Sequence, residues 1–377
     1  MKVQDNVEPT PSFIKKYLTN EDITKLQKKK ALHIDQFKEI LLVRLAQDYK
    51  NYPRGTVFHE GGLIPGYPRI MRVLHLENGI KRYFKERFYI EEKVDGYNVR
   101  IVVINGKPLA FTRGGFICPF TTNRIQDLIN LNYFDKYPGY IINGEIVGPG
   151  SPYNTEIIPY ISEDVIFFSF DLFDSRSRKI SIEERYTIFE QFKIPQVRRW
   201  GPFSVSDVDR IKEVVLELDG EGREGIVIKP ISNGKQIKYV TLSSCLRDLQ
   251  ATSDLITELP AGFYMQRILR AIFFCHEFSI ALNDRYLLES AKALYLSPQK
   301  VLKEVEDGGN VRESFEVNMR NKDTIYELME HLKRSGVNTK VLSIEKVDHF
   351  HRTKFHRIYT EGTREIRHKL MGHGFFD

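Results

Sequence analysis

Two alternating runs joined through a glycine constrain this chain more than any other feature. From Phe88 to Val94, the apolar Phe88, Ile90 and Val94 fall on one side of an extended backbone, and Glu91 and Lys93 fall on the other. Gly96 permits a sharp bend, and Val99, Ile101 and Val103 then resume the alternation. Asn105-Gly106 is a two-residue hairpin turn, and Leu109 to Arg113 reads as the returning strand. A region with this pattern folds as antiparallel sheet, with one lysine presented where a strand meets a turn.

Short apolar runs between turns recur from about Thr56 to Thr241. They include Tyr140–Gly148, Val165–Phe173, Arg223–Pro230 and Gly234–Val240, with helices predicted over Ile180–Phe192 and Asp207–Leu218. The mixture predicts an α+β fold with mainly antiparallel sheet. Residues before about Lys50 read as helical, with Asn20 and Asp22 as caps and an apolar stripe of Phe37, Ile40, Leu41 and Leu45. The pattern breaks at Tyr52-Pro53-Arg54-Gly55. Lys28-Lys29-Lys30 reads as a solvated helix face.

After Thr241 the character turns helical. Tyr264 to Leu282 is apolar nearly all round, but Arg267, Arg270, His276 and Glu277 argue against a membrane span. Such a helix is the centre of a helical domain or half of a homodimer interface. Tyr286–Leu294 and Pro298–Val305 extend the helices as far as Gly308-Gly309. A strand through Phe315, Val317 and Met319, a helix over Asp323–Lys333 stopped by Gly336, and a strand near Val341–Ile344 follow. The end is basic and holds five histidines: His349, His351, His356, His368 and His373. It reads as a solvated tail or a phosphate-binding face; His349 and His351 as metal ligands have only a generic spacing. The expected domains are a helical segment over 1–55, the main domain over 56–245, a helical dimerisation domain over 246–309 and a small α+β domain over 310–377.

A net charge of +6 permits a polyanionic partner without requiring one. Cys118, Cys245 and Cys275 are scattered, odd in number and without close pairing, which predicts a reducing cytoplasm with neither disulfide nor zinc site. Met1-Lys2-Val3-Gln4-Asp5 is followed by no apolar core, so no signal peptide is expected.

Six separated stretches are jointly specific. They are Lys93-Val94-Asp95-Gly96, Thr112-Arg113-Gly114-Gly115, Asn143-Gly144-Glu145, Phe168-Ser169-Phe170-Asp171-Leu172, Glu224-Gly225-Ile226-Val227-Ile228-Lys229 and Lys235-Gln236-Ile237-Lys238-Tyr239. In that order the chain resembles the covalent nucleotidyltransferases, which include polynucleotide ligases and capping enzymes. Within them it is most similar to the archaeal ATP-dependent RNA ligases, homodimers that join or circularise single strands. The resemblance implies an antiparallel-sheet nucleotidyltransferase (ATP-grasp-like) domain. It also implies ATP as co-substrate, Mg²⁺ or Mn²⁺, and single-stranded RNA as partner, with single-stranded DNA as an alternative.

By the same resemblance Lys93 captures AMP from ATP, passes it to an RNA 5′-phosphate, and a 3′-hydroxyl then displaces it. An ordinary lysine titrates near ~10.4, so a neutral amine near pH 7 has to be favoured by about 4 kcal/mol. The resemblance makes Lys238 the α-phosphate ligand, Glu224 the metal ligand, Phe170 the adenine platform, and Glu145 a ribose acceptor and second metal candidate. Arg113 falls near the ribose or the donor phosphate. Either Asn98 or Arg100 contacts the ribose, and Glu91 or Glu92 sits by the adenine edge, with Glu92 carried forward. Relatives carry a lysine two residues before Lys238; here Gln236 stands there, which leaves Lys229 or Lys235 to substitute. A DNA ligase, a capping-type enzyme and a non-catalytic RNA-binding dimer are the alternatives.

Overall fold

The computed structural model describes residues 10–154 and 158–374. The expected leaderless start, Met1–Asp5, lies outside the described residues. Helix α1 (Asn20–Lys28) precedes β1 (Leu32–Phe37), β2 (Ile40–Leu45), β3 (Val57–His59) and β4 (Gly62–Ile64). β5 (Met71–Arg72), α2 (Leu76–Tyr83) and β6 (Phe88–Lys93) lead to the hairpin of β7 (Tyr97–Ile104) and β8 (Lys107–Thr112). Then come α3 (Pro119–Leu128), α4 (Tyr133–Lys136), β9 (Ile141–Val147), β10 (Ile166–Phe173) and α5 (Ile182–Gln191). β11 (Arg199–Phe203), α6 (Val208–Gly220), β12 (Gly225–Pro230) and β13 (Ile237–Val240) follow. Four helices come next: α7 (Leu242–Thr252), α8 (Ala261–Phe278), α9 (Asp284–Ala291) and α10 (Ser297–Glu306). The chain closes with β14 (Arg312–Met319), α11 (Asp323–Arg334), β15 (Asn338–Val347), β16 (Phe350–Ile358) and α12 (Thr360–Leu370).

Two compact units interleave along the sequence. The first takes residues up to Arg69, Tyr97–Glu145 and Ser169–Gln196; the second takes Ile70–Gly96, Ile146–Phe168 and residues from Val197 onward. The units interleave because strand pairing, not chain order, decides which segments pack together.

In the first unit, β1 to β4 form an antiparallel sheet in that order. Val43, Leu45 and Phe58 pack under Ile23 and Leu26 of α1, while Ile40, Leu42 and Val57 pack on Val102, Ile104, Leu109 and Phe111 of β7 and β8. The expectation of helix over this stretch is therefore corrected. A sheet covered on both faces carries consecutive apolar residues, so Ile40-Leu41-Leu42-Val43 loses the alternation that marks a strand. The hairpin turn is equally hidden, since Lys38, not glycine, takes its positive φ of 53°. At α1 the cap is Thr19: its hydroxyl accepts from Asp22 N at 3.2 Å, and the Asp22 carboxylate accepts from Thr19 N at 3.1 Å.

In the second unit a five-stranded sheet runs β11-β6-β12-β13-β5. One face is apolar: Phe88, Ile90, Ile226, Ile228, Ile237 and Tyr239 join a core with Ile80 of α2, Ile211 and Val215 of α6, and Phe274 of α8. The buried Glu277 carboxylate of α8 accepts from the first two amides of α2, Leu76 N at 2.6 Å and Glu77 N at 2.9 Å, and so ties the two helices. The apolar α8 divides into stripes. Ala271 and Phe274 are buried, whereas Met265 is 56% and Ile272 50% exposed. No helix among the described residues is long and apolar enough to cross a membrane.

The C-terminal sheet runs β14-β16-β15, with α11 against β15. The expected basic tail is in fact its central strand β16, followed by α12. Thr353 and Phe355 face Val317 and Phe315 of β14 across the sheet, and the intervening Lys354 is exposed. Among the described residues, no group of three or more His, Cys, Asp and Glu is placed to hold a metal.

Candidate active site

The alternation of β6 decides which side chains share a face. With Phe88 and Ile90 in the core, Glu91 and Lys93 point to the opposite face of the sheet. Register extends that face sideways: Glu91 stands opposite Val227, Val227 opposite Lys238, and Lys238 beside Arg72. On the other flank Arg199 pairs with Glu91. Lys93 itself pairs with Gly225 at the head of β12. One sheet face thus carries Lys93, Glu91, Lys238, Arg72 and Arg199 in adjacent positions, where an ordinary sheet would be apolar.

The Lys93 ammonium donates to the Glu224 carboxylate. Glu224 is buried, and its carboxyl is pushed up to about 7, first by burial and then by the charge of Asp95, against the opposing pull of Lys93. This carboxyl is thus poised near neutrality beside the amine that the motif singles out. Near neutral pH this carboxyl is divided between its protonated and ionised forms. The sign of the pH effect follows. A carboxyl raised in the folded state gives its full stabilisation below about 4.5 and loses it as pH rises through about 7. The melting temperature is expected to carry a downward component over that window, which Glu224→Gln removes; an unchanged slope in scanning calorimetry of the variant would contradict the buried carboxyl.

Gly96 is required for closeness, not for the bend expected of it. A Cβ there would lie 2.1 Å from the Ile146 carbonyl oxygen.

Four residues offered as nucleotide contacts have other partners in this structure. Glu92 accepts from Arg198 at 2.9 Å and Arg223 at 2.6 Å, and both arginines also pair with Glu221. Glu91 pairs with Lys229 at 2.6 Å, both side chains almost fully buried. Neither carboxylate is open to an adenine edge, and the Lys229 charge is neutralised where a phosphate ligand was expected. Lys235, offered in place of the missing lysine, is exposed and lies over the Tyr83 ring at 4.8 Å.

In the first unit, Arg100 serves backbone carbonyls. It is fully buried and donates to the carbonyls of Gly55 at 2.9 Å, Pro65 at 2.6 Å and Thr112 at 2.6 Å. Burial lowers its guanidinium to about 9, which still leaves it charged at neutral pH. Asn98 differs. Its Oδ1 is buried and has no hydrogen-bond partner among the described residues, and the same holds for both amide atoms of the buried Asn143 on β9. Orphaned polar atoms of this kind cost about 1–3 kcal/mol each unless something else meets them. Asn143 was passed over in the sequence because Glu145, two residues on, carried the charge; Glu145 shares its side of β9 and is partly exposed.

Phe170 and Phe168 on β10 are partly exposed, while Phe167 is fully buried. The Tyr67 ring stands edge-on to Phe170 at 5.3 Å, and its hydroxyl donates to Asp171 Oδ2 at 3.0 Å. Asp171 is in turn paired with Lys179 at 2.9 Å. Tyr67 is therefore a site residue that only the fold reveals, since nothing in Gly66-Tyr67-Pro68 marks it. Arg113 is exposed at the mouth of a cleft of about 480 Å³.

Comparison with known proteins decides what this assembly is. A family model described as RNA ligase matches residues 86–240, and one described as the C-terminal region of the Pab1020 ligase matches residues 251–373. An uncharacterized protein of Methanocaldococcus jannaschii is 31% identical over 345 residues, 88% of this chain and 87% of its own length. A solved archaeal ATP-dependent RNA ligase is 26% identical, with a TM-score of 0.84 over 93% of this chain and 96% of that one. This chain belongs to the archaeal ATP-dependent RNA ligase family. The family is not confined to one description: an Aquifex aeolicus protein provisionally described as an ATP-dependent DNA ligase is 33% identical, with a TM-score of 0.88 over 94% of this chain and 100% of that one. The helices α7 to α10 follow β13, and the match to the ligase C-terminal region begins within them, at residue 251.

Proposed function

We propose that this protein joins 5′-phosphorylated single-stranded RNA to a 3′-hydroxyl through a Lys93–AMP intermediate. The observation that carries it is the Lys93–Glu224 pair, with a carboxyl held near 7 beside the motif lysine. The amine form of Lys93 attacks the α-phosphorus of ATP, an N–P bond forms, and the bond to pyrophosphate breaks; Glu224 keeps the proton. Lys238, on the same sheet face, supports the charge that develops on the phosphate. AMP then moves to the strand's 5′-phosphate, and the 3′-hydroxyl displaces it.

Phe170 stacks on adenine, worth about 1–3 kcal/mol. Asn98, Asn143 and Glu145 take the ribose hydroxyls, which would satisfy the orphaned amide atoms. Once its proton has passed to water, Glu224 would join Asp95 as hard oxygen donors that fit Mg²⁺ or Mn²⁺ as a partial set, with water and phosphate oxygens completing it; the ion neutralises phosphate charge when bound. Glu145 is the further metal candidate. A cytoplasmic location fits cysteines that form no disulfide among the described residues.

The test is incubation with radiolabelled ATP and Mg²⁺, followed by 5′-phosphorylated RNA or DNA oligonucleotides of one sequence. Labelled protein, then an adenylated strand, then a sealed RNA product support the proposal. Faster sealing of DNA would move it to the DNA-ligase alternative, and no labelled protein would leave a binding dimer.

We also propose that α8 and its neighbours form a homodimer interface. Met265, Leu269, Ile272 and Phe273 recur on one side of α8, and Leu287, Leu288 and Tyr295 add exposed apolar surface, more than a solvated helix pair ordinarily shows. Light scattering is expected to give twice the chain mass, and Leu269→Asp with Ile272→Asp to give the monomer; a monomeric parent protein would end this proposal.

A further inference from the structure

The first unit carries two arginines that the proposed chemistry does not use, Arg54 and Arg69, beside Arg113. Arg54, Arg69 and Arg113 line the cleft of about 480 Å³ together with Tyr67 and Asp48. All three arginines are exposed, and none is held in an ion pair among the described residues. The single carboxylate, Asp48, already accepts from the backbone N of Arg54 at 2.7 Å. The cleft is therefore cationic and its charges are unneutralised.

Its walls come from three loops distant in sequence, and those loops are locked. Arg100 lies beneath them, donating to Gly55 next to Arg54, to Pro65 ahead of Tyr67, and to Thr112 next to Arg113. The Thr56 hydroxyl donates to Pro53 O at 2.7 Å and accepts from Gly66 N at 2.9 Å. A Cβ on Gly55 would lie 2.1 Å from the Arg113 carbonyl oxygen, and one on Gly66 would lie 2.4 Å from that of Arg54, so backbone meets backbone. The tripeptide Tyr-Pro-Arg occurs twice, at Tyr52–Arg54 and Tyr67–Arg69, and each copy ends at the cleft. A buried charge that organises three loops, each bearing an arginine, describes a built site and not a chance patch.

We propose that this cleft binds the sugar–phosphate backbone of the strand to be joined, with Arg54 and Arg69 on its phosphates. Guanidinium forks match phosphate oxygens, and a cleft of this volume exceeds what one phosphate needs. Tyr67 supplies an aromatic surface against which a base can stack. The assignment rests on the ligase function proposed above and adds to it where the nucleic acid lies.

Two measurements on Arg54→Ala/Arg69→Ala test it. The first is fluorescence anisotropy with a labelled, 5′-phosphorylated single-stranded RNA over a range of KCl concentrations. The variant is expected to bind at least roughly tenfold more weakly, and its slope of log affinity against log salt to fall by about 1.4, or about 0.7 for each phosphate that is no longer neutralised. The second is Lys93 labelling by ATP without a strand, expected within about twofold of the parent. Because both side chains are exposed, an unchanged melting temperature confirms folding. Unaltered RNA affinity and salt slope would overturn the proposal. Loss of ATP labelling in the variant would also overturn it, by placing the arginines on the triphosphate. A parent protein that binds RNA through these arginines yet takes no label from ATP would sink the ligase function and leave the cleft standing.

Discussion

Lys93→Arg is expected to abolish capture of adenylate as completely as Lys93→Ala, with a loss of roughly three or more orders of magnitude. Arginine keeps the positive charge and can still donate to Glu224, so a structural or electrostatic role for position 93 would survive the change. A nucleophilic role would not, because a guanidinium stays protonated at any pH the protein tolerates. The measurement is labelled-AMP retention after denaturing electrophoresis. Retention by the arginine variant at more than a few per cent of the parent level would place the nucleophile elsewhere. Glu224→Gln should be affected differently: its amide still accepts from the ammonium but cannot take up a proton, so labelling slows and recovers toward high pH.

Lys229→Met is expected to cost about 3–5 kcal/mol of stability, on the order of 10 °C in melting temperature. Lys229 and Glu91 are 3% and 1% exposed as side chains and 2.6 Å apart, so removing one charge takes away a close, water-excluded ion pair from the other. The double variant Glu91→Leu/Lys229→Met removes both charges and should recover most of the loss. Calorimetry that shows Lys229→Met within about 1 kcal/mol of the parent would mean that water or another group reaches Glu91. The outcome also bears on function: if Lys229 were a phosphate ligand, the double variant would regain stability but not activity, whereas a purely structural pair regains both.

What the sequence discloses and what it withholds follow from geometry. β6 has one apolar face and one charged face, so its period of two is plain and places Glu91 and Lys93 on a common side before any coordinates are known; that Lys238 shares this side follows only from the register of β6, β12 and β13. β2 is covered on both faces, which erases that period and makes it resemble an apolar helix. β16 fails for the opposite reason: only Thr353 and Phe355 are fully buried, and the lysine, arginines and histidines between them read as a tail. Ion-pair partners are beyond sequence reasoning because they depend on register and rotamer. Two adjacent glutamates, Glu91 and Glu92, look interchangeable, yet they point to opposite faces and meet entirely different cations. Arg100 is the strongest case. Its role is set by three carbonyls up to 45 residues away, and no local pattern announces a fully buried arginine that serves backbone.

Peptide mapping by mass spectrometry, after incubation of the intact protein with ATP and Mg²⁺, tests the central claim most directly. A phosphoramidate-linked AMP on the peptide that contains Lys93, lost on acid treatment and absent from the Lys93→Arg variant, is the predicted result. Adenylate on any other lysine, or a folded protein that carries none, would contradict it.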